Sequence, residues 1–190
     1  LGGKEMSFFK TLLAAGFGGQ GVMVLGQLVA YTGIEEGRHV TWIPSYGPEM
    51  RGGTANCGVV LSEDEIGSPV VDQADVLVVM NQPSLTKFID RLKPGGVLVF
   101  NSDLVEFDGS RDDIVPIALP ASVIAKELGS DKVTNIVILG AVVESSGVVD
   151  DRVCIETIKE KLGKRKPEFL PMNLAAYEKG KEVARECLKA

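Results

Sequence analysis

Glycines at Gly16, Gly18 and Gly21, in the run Gly16-Phe17-Gly18-Gly19-Gln20-Gly21, carry the G-x-G-x-x-G spacing of a loop that holds an anion. An apolar run ending at Ala15 precedes them, and a helical run from Val22 to Glu36 follows. In such a unit the first glycine turns the chain off the strand. The second lets backbone approach a ligand, and the third brings the helix close to the sheet. The helix then presents unpaired N–H groups and its positive dipole end. The same glycines equally suit a tight turn that serves packing alone. A dinucleotide site also requires an acidic residue at the end of the second strand, about 20 residues on, to hold the ribose. That strand, His39 to Ile43, ends in Pro44-Ser45-Tyr46, and Glu35 and Glu36 lie before it. The residues argue against a dinucleotide and keep the anion loop.

The second stretch with chemical content is Pro44 to Gly53, whose prolines and glycines make it a loop. It leaves the second strand at the edge where the glycine loop leaves the first, and in open α/β sheets ligands bind outside the carboxyl ends of the strands. The two loops are therefore expected to face one another across a crevice. The candidate binding residues are Gly16, Gly18, Gly19, Gln20 and Gly21 on one side, with Ser45, Tyr46, Glu49, Met50, Arg51, Gly52, Gly53 and Thr54 on the other. The Arg51 guanidinium can hold a phosphate or carboxylate bidentately, and it can equally form an interface ion pair. Glu49 suits a loop hydrogen-bond acceptor better than a general base. Tyr46 and Met50 suit packing or an interface, and Asn81 offers an amide that helix entry explains as well.

No catalytic residue emerges. Cys57, Cys154 and Cys187 are far apart and odd in number, matching neither a disulfide framework nor a zinc or Fe–S spacing. Free thiols in a reducing compartment fit them best. The single histidine, His39, sits on a strand with no nucleophile in view. Nor is any metal-binding motif visible.

A net charge of −6 provides no general basic field for nucleic acid. No apolar run reaches the roughly 20 residues that span a bilayer, and no signal peptide is visible, so a cytoplasmic location is expected. The 190 residues suit one domain, expected over 6–190 with a natural start at Met6.

The elements that must position these loops alternate along the chain. Strands are expected over Phe8–Ala15, His39–Ile43, Thr54–Leu61, Val76–Met80, Val97–Phe100 and Asp113–Ala118. Helices are expected over Leu85–Leu92 with Ser84 as cap, from Pro120 to Leu128, over Ile136–Ser145 with Asn135 as cap, from Asp150 or Asp151 to Leu162, and over Asn173–Lys189. Lys93-Pro94-Gly95-Gly96 reads as a turn. The predicted fold is a three-layer α/β domain with a Rossmann-like start, a mostly parallel sheet and helices on both faces. Thr54–Leu61 follows the second strand with no helix between, so at least one strand pair is antiparallel.

Taken together, Gly16 to Gly21 and Ser45-Tyr46-Gly47-Pro48-Glu49-Met50-Arg51-Gly52-Gly53-Thr54-Ala55-Asn56 resemble the gamma subunits of 2-oxoacid:ferredoxin oxidoreductases. That group includes the pyruvate, 2-oxoisovalerate and 2-oxoglutarate synthases. The likeness runs from about Phe9 to Lys181 and takes in Asp75–Met80, Asn81–Ser84 and Lys93–Gly96. It is nearest the 2-oxoglutarate type, with the 2-oxoisovalerate type almost as good. The indolepyruvate enzymes share the glycine loop but differ before Arg51-Gly52-Gly53. The resemblance implies a subunit of a complex that oxidatively decarboxylates a 2-oxoacid, passes the acyl group to coenzyme A and sends electrons to ferredoxin or a similar acceptor. Thiamine diphosphate, magnesium and Fe–S clusters are implied on partner alpha and beta subunits, with a delta subunit as a further candidate. This chain would bind no cofactor alone and would not turn over alone. It would help bind coenzyme A, close the active site or serve assembly. A stand-alone nucleotide-binding oxidoreductase is the remaining alternative and lacks the ribose carboxylate it would need.

Overall fold

The computed structural model describes residues 7–45 and 54–190. One six-stranded sheet, in the order β2-β3-β1-β4-β5-β6, organises them. Its strands are β1 (Phe9–Phe17), β2 (His39–Ser45), β3 (Thr54–Ser62), β4 (Ala74–Val79), β5 (Leu92–Asn101) and β6 (Val115–Leu119). β1, β4, β5 and β6 are parallel, while β3 runs antiparallel to both β1 and β2. The expected α/β class with an antiparallel pair is therefore what the chain forms. The carboxyl ends of every strand but β3 lie along one edge.

The strands sort by burial. Leu12 to Ala15 on β1 and Val76 to Val79 on β4 are almost wholly buried, which a strand covered on both faces requires. β2 is an edge strand, and this lets it extend through Pro44, opposite Cys57, to Ser45. A proline lacks the ladder donor and is tolerated at an edge. The sequence reading ended this strand at Ile43 because proline usually marks a loop.

Five helices cover one face: α1 (Val22–Glu35), α3 (Ala121–Glu127), α4 (Thr134–Ser146), α5 (Asp151–Ile158) and α6 (Leu170–Cys187). On the other face α2 (Gln82–Phe88) and the segments carrying Val105 and Ile114 cover Leu13, Leu77, Val79 and Leu98. Close approach is set by glycine. A Cβ on Gly26 would lie 2.4 Å from Cys57 Sγ, and one on Gly33 would lie 2.1 Å from Leu61 Cδ2, so α1 packs directly onto β3. Cβ atoms on Gly140 and Gly180 would lie 2.0 Å from Tyr177 O and 1.8 Å from Val137 O, so α4 and α6 cross backbone to backbone. Asn135 to Val143 are consequently all buried. A helix that is apolar all round is one enclosed on every side.

Several boundaries differ from the sequence reading for local reasons. Asn81, not Ser84, caps α2, its Oδ1 accepting from Ser84 N at 2.9 Å. That helix ends at Phe88, a single 3-10 turn (Ile89–Arg91) follows, and Leu92 opens β5. Lys93–Gly96 lies within β5 where the β4–β5 register shifts, with Gly95 at φ +75°. α3 starts one residue after Pro120, and Asp150 caps α5 by accepting from Arg152 N and Val153 N. Beyond Ile158 the chain continues as a π-helical turn, Lys159–Gly163. α6 begins at Leu170 because Pro171 fits the first helical turn, where its missing N–H costs nothing. It stops at Cys187 rather than Lys189.

Candidate functional site

The glycine run lies at the carboxyl edge as expected, but its parts divide differently. Gly16 and Phe17 still belong to β1, and the turn is Gly18 to Gly21. Gly16 therefore does not turn the chain. Its missing Cβ leaves room for Gln20 Oε1 at 2.7 Å and Met80 Cβ at 2.9 Å. Gly19 and Gly21 adopt the left-handed conformation, at φ +91° and +78°. The close neighbour of Gly21 is helix α4 rather than the sheet: a Cβ there would lie 2.5 Å from Asn135 Nδ2.

Gln20 organises the turn. Its Oε1 accepts from Phe17 N at 2.6 Å and from Asn81 Nδ2 at 3.2 Å, and its Nε2 donates to Met80 O at 3.1 Å. A half-buried amide thereby joins the ends of β1 and β4 and occupies the Phe17 N–H. The donors left to a ligand are those opening α1, whose cap residue Gly21 brings no side-chain cap and whose first turn has no acidic residue. α4 differs: it runs on from a 3-10 turn, Asp131–Val133, which Ser130 caps by accepting from Lys132 N at 3.3 Å, and Thr134 N is taken by Asp131 O. Asn135 was expected to cap this helix. It lies instead in the first turn, 7% exposed, and its Nδ2 donates to Gly21 O at 3.2 Å. Gly21 O can only accept, so the amide orientation is fixed and Asn135 Oδ1 has no protein partner among the described residues.

These two helix starts border a cavity of about 530 Å3 at the carboxyl edge. Gly19, Gln20 and Gly21 form one wall, with Met80 and Asn101 from the ends of β4 and β5. Lys132 to Ile136 form a second. The α5–α6 connection supplies Leu162, Arg165, Lys166 and Phe169. Asn101 is internally satisfied, accepting from Ala121 N at 3.2 Å and donating to Ser122 Oγ at 2.8 Å. The volume suits a small-molecule ligand, and apolar walls with a few convergent polar groups are the usual make-up of such a site. Lys132, Arg165, Lys166 and the wall formed by α4 were not among the expected site residues. The only sequence signal for them was the charge run Lys164-Arg165-Lys166 before Pro167.

On the other side of the glycine loop, Ser45 pairs with Asn56 and Thr54 with Phe17. Ser45 is exposed and Thr54 half-buried, and neither borders the cavity. The remaining expected members of that loop, Tyr46, Glu49, Met50, Arg51, Gly52 and Gly53, lie outside the described residues.

The two buried thiols are unsuited to chemistry. Burial pushes Cys57 and Cys154 each up to about 11, so both are protonated at neutral pH. Among the described residues no group of His, Cys, Asp or Glu side chains is placed to hold a metal ion, and no helix is long and apolar enough to cross a membrane. Asp75 works at the opposite, amino edge of the sheet. Burial opposes its charge, but Lys93 Nζ at 3.0 Å and Thr11 N at 2.8 Å outweigh that and hold the carboxyl below its ordinary range. It is a structural clamp.

Fold and edge together define an α/β domain with a strand–glycine turn–helix start and a ligand-sized cavity at the carboxyl ends of its strands. The chain belongs to the family described as pyruvate ferredoxin/flavodoxin oxidoreductase, which residues 11–183 match. It is 44% identical over 174 residues to the ketoisovalerate oxidoreductase subunit VorA of Methanothermobacter thermautotrophicus, covering 90% of this chain and 36% of that protein. It is 35% identical over 184 residues to the 2-oxoglutarate synthase subunit KorC of Methanothermobacter marburgensis, covering 93% and 97%. The chain thus spans about a third of the VorA relatives and nearly all of KorC. Among solved structures it is similar to the keto/oxoacid ferredoxin oxidoreductase gamma subunit of Geobacter sulfurreducens, with TM-score 0.81, 30% identity, and 93% and 99% of the two chains covered. It is also similar to the 2-oxoglutarate:ferredoxin oxidoreductase of Magnetococcus marinus with 2-oxoglutarate, coenzyme A and succinyl-CoA bound. There the TM-score is 0.84 at 28% identity, over 94% of this chain and 31% of that one.

Proposed function

We propose that this chain is the gamma-type subunit of a coenzyme A-acylating 2-oxoacid:ferredoxin oxidoreductase and helps to bind coenzyme A at the carboxyl edge of its sheet. The observation that carries the reading is the N-terminus of α1, without a side-chain cap at Gly21, opening on one cavity beside the glycine turn. Such termini attract anionic groups, and coenzyme A is the phosphate-bearing reactant of the proposed reaction. The relatives named as ketoisovalerate and 2-oxoglutarate subunits, and a similar structure with coenzyme A bound, support it. The decarboxylating cofactor and the clusters then belong to partner alpha and beta subunits, with delta a further candidate, and ferredoxin or a similar acceptor takes the electrons. Identity is higher to the ketoisovalerate subunit than to the 2-oxoglutarate subunit, and both substrate classes stay within the proposal.

Arg51, in the loop between Ser45 and Thr54, is the proposed further contributor, its guanidinium adding a full positive charge for the anion. Loss of one charge-assisted hydrogen bond is worth ~1.5–3 kcal/mol, about ten- to a hundredfold in affinity. Arg51→Ala in the assembled complex is expected to raise the KM for coenzyme A by that order, measured by steady-state kinetics with subunit association followed alongside. An unchanged KM with weakened association would make the loop an assembly contact instead.

A further inference from the structure

Helix α1 is uncharged on every side, yet one side of it is open. From Val22 to Ile34 it holds no charged residue. Leu25, Leu28 and Val29 enter the core, and Gly26 and Gly33 meet β3. Val24, Gln27, Tyr31 and Ile34, spaced three or four apart, share the opposite face. Val24, Tyr31 and Ile34 are exposed, Tyr31 by 41% and Ile34 by 54%, and Gln27 is half-buried. The solvent side of a helix is ordinarily polar and charged, and a helix apolar all round is one enclosed on every side. α4 meets that rule within the chain, whereas α1 does not among the described residues. The apolar surface continues onto the edge strand. Val40 and Trp42 of β2 abut α1, where Cβ atoms on Gly33 and Gly26 would lie 3.0 Å from Val40 Cγ2 and 3.1 Å from Trp42 Nε1, and both stay half-buried. Charged groups stand at the margin: Lys161 Nζ lies 4.5 Å from the Tyr31 ring centroid, and Glu35 closes the helix. An aromatic and aliphatic centre with a polar rim is the make-up of a protein interface.

We propose that this face of α1, anchored by Tyr31 and Ile34, docks the portion of the complex that the VorA relatives carry on the same chain beyond the matched stretch. The proposal rests on the gamma-type subunit reading above and adds the surface by which the chain joins its complex. The matched stretch occurs in two settings. It covers 97% of KorC, a synthase subunit, and 36% of VorA, where most of the protein lies outside the match. In VorA a covalent link keeps that further portion at high effective concentration beside the domain. A subunit of KorC length must hold its neighbour by surface contact alone. The chemistry of the occupant follows from the stripe. A carboxylate or ammonium seated on it would be desolvated without a counter-charge, so the facing surface is apolar and uncharged at its centre.

The test adds the full chain, wild type or Tyr31→Asp/Ile34→Asp, to the remaining subunits of the complex. Association is followed by size-exclusion chromatography, beside 2-oxoacid- and coenzyme A-dependent turnover. The variant is expected to require about tenfold more chain, or beyond, for half-maximal association. Its turnover at saturation should match the wild type, because neither residue borders the cavity; Val24, which does, is left untouched. Both side chains are exposed, so the unfolding midpoint should stay near the wild-type value. Ile34→Lys alone, at the more exposed position, carries the same test if the double variant does not fold. A folded variant that associates like the wild type overturns the assignment and leaves the subunit reading intact. A wild-type chain that does not associate with those subunits overturns both. Loss of self-association in the variant, with assembly unimpaired, would give the face to a second copy of this chain and likewise overturn the proposal.

Discussion

Asn135 Nδ2 donates to Gly21 O at 3.2 Å, and this bond joins the start of α4 to the start of α1 across 114 residues of sequence. It explains why position 21 must be glycine. The residue there adopts φ +78°, and any Cβ would lie 2.5 Å from the Asn135 amide.

Gly21→Ala should therefore destabilise the protein by about 1–3 kcal/mol, combining left-handed strain with displacement of Asn135. In an Asn135→Ala background the same substitution should cost less, because the amide clash is gone while the strain and the 2.9 Å approach to the Cβ at position 135 remain. Urea unfolding of the four proteins in this double-mutant cycle measures the coupling. Strict additivity would show that the two positions do not constrain each other.

The crossing of α4 and α6 makes a larger demand. Gly180→Ala would place a methyl group 1.8 Å from Val137 O, a fixed backbone atom inside a packed core. The helices must move apart, with a loss of about 3 kcal/mol or more. Thermal and denaturant unfolding test this. Because Arg165 and Lys166 precede α6, the variant should also perturb the cavity. A loss under about 1 kcal/mol would mean that the helices separate freely.

Asp75 gives a pH dependence of defined sign. Its folded-state carboxyl titrates below the unfolded value of about 4, since bonds from Lys93 and Thr11 outweigh burial. Its contribution is thus fully present above the unfolded value and is lost as pH falls through the folded one. Asp75→Asn should lower stability at pH 7 by about 1.5–3 kcal/mol, toward the low end because Lys93 is partly solvated. The gap between wild type and variant should narrow below about pH 4. Urea midpoints across pH 3 to 7 would check this, and a gap independent of pH would rule out the ionised carboxylate as the stabilising species.

Local pattern was enough to reveal much of this protein. The apolar runs in β1 and β4, the glycine spacing between β1 and α1, and the absence of a helix between β2 and β3 specify an α/β sheet with an antiparallel portion. These features are set by side-chain periodicity and backbone sterics within a few residues, so they can be read along the chain. Even here the boundaries drifted where context relieved a local penalty, as at Pro44 on an edge strand and Pro171 in a first helical turn.

The site was only half legible for the same physical reason. Glycine spacing marks where a ligand can approach, but it does not show that Gln20 turns inward to take the Phe17 N–H. Nor does it show that Asn135 leaves a cap role to meet Gly21. The cavity wall made by Lys132, Arg165 and Lys166 depends on how closely α4 and α6 approach, which Gly140 and Gly180 set through contacts absent from any local window. Sequence fixes which groups are charged or polar. Only tertiary packing decides which of them are satisfied by the protein and which are left facing a space that a ligand can fill.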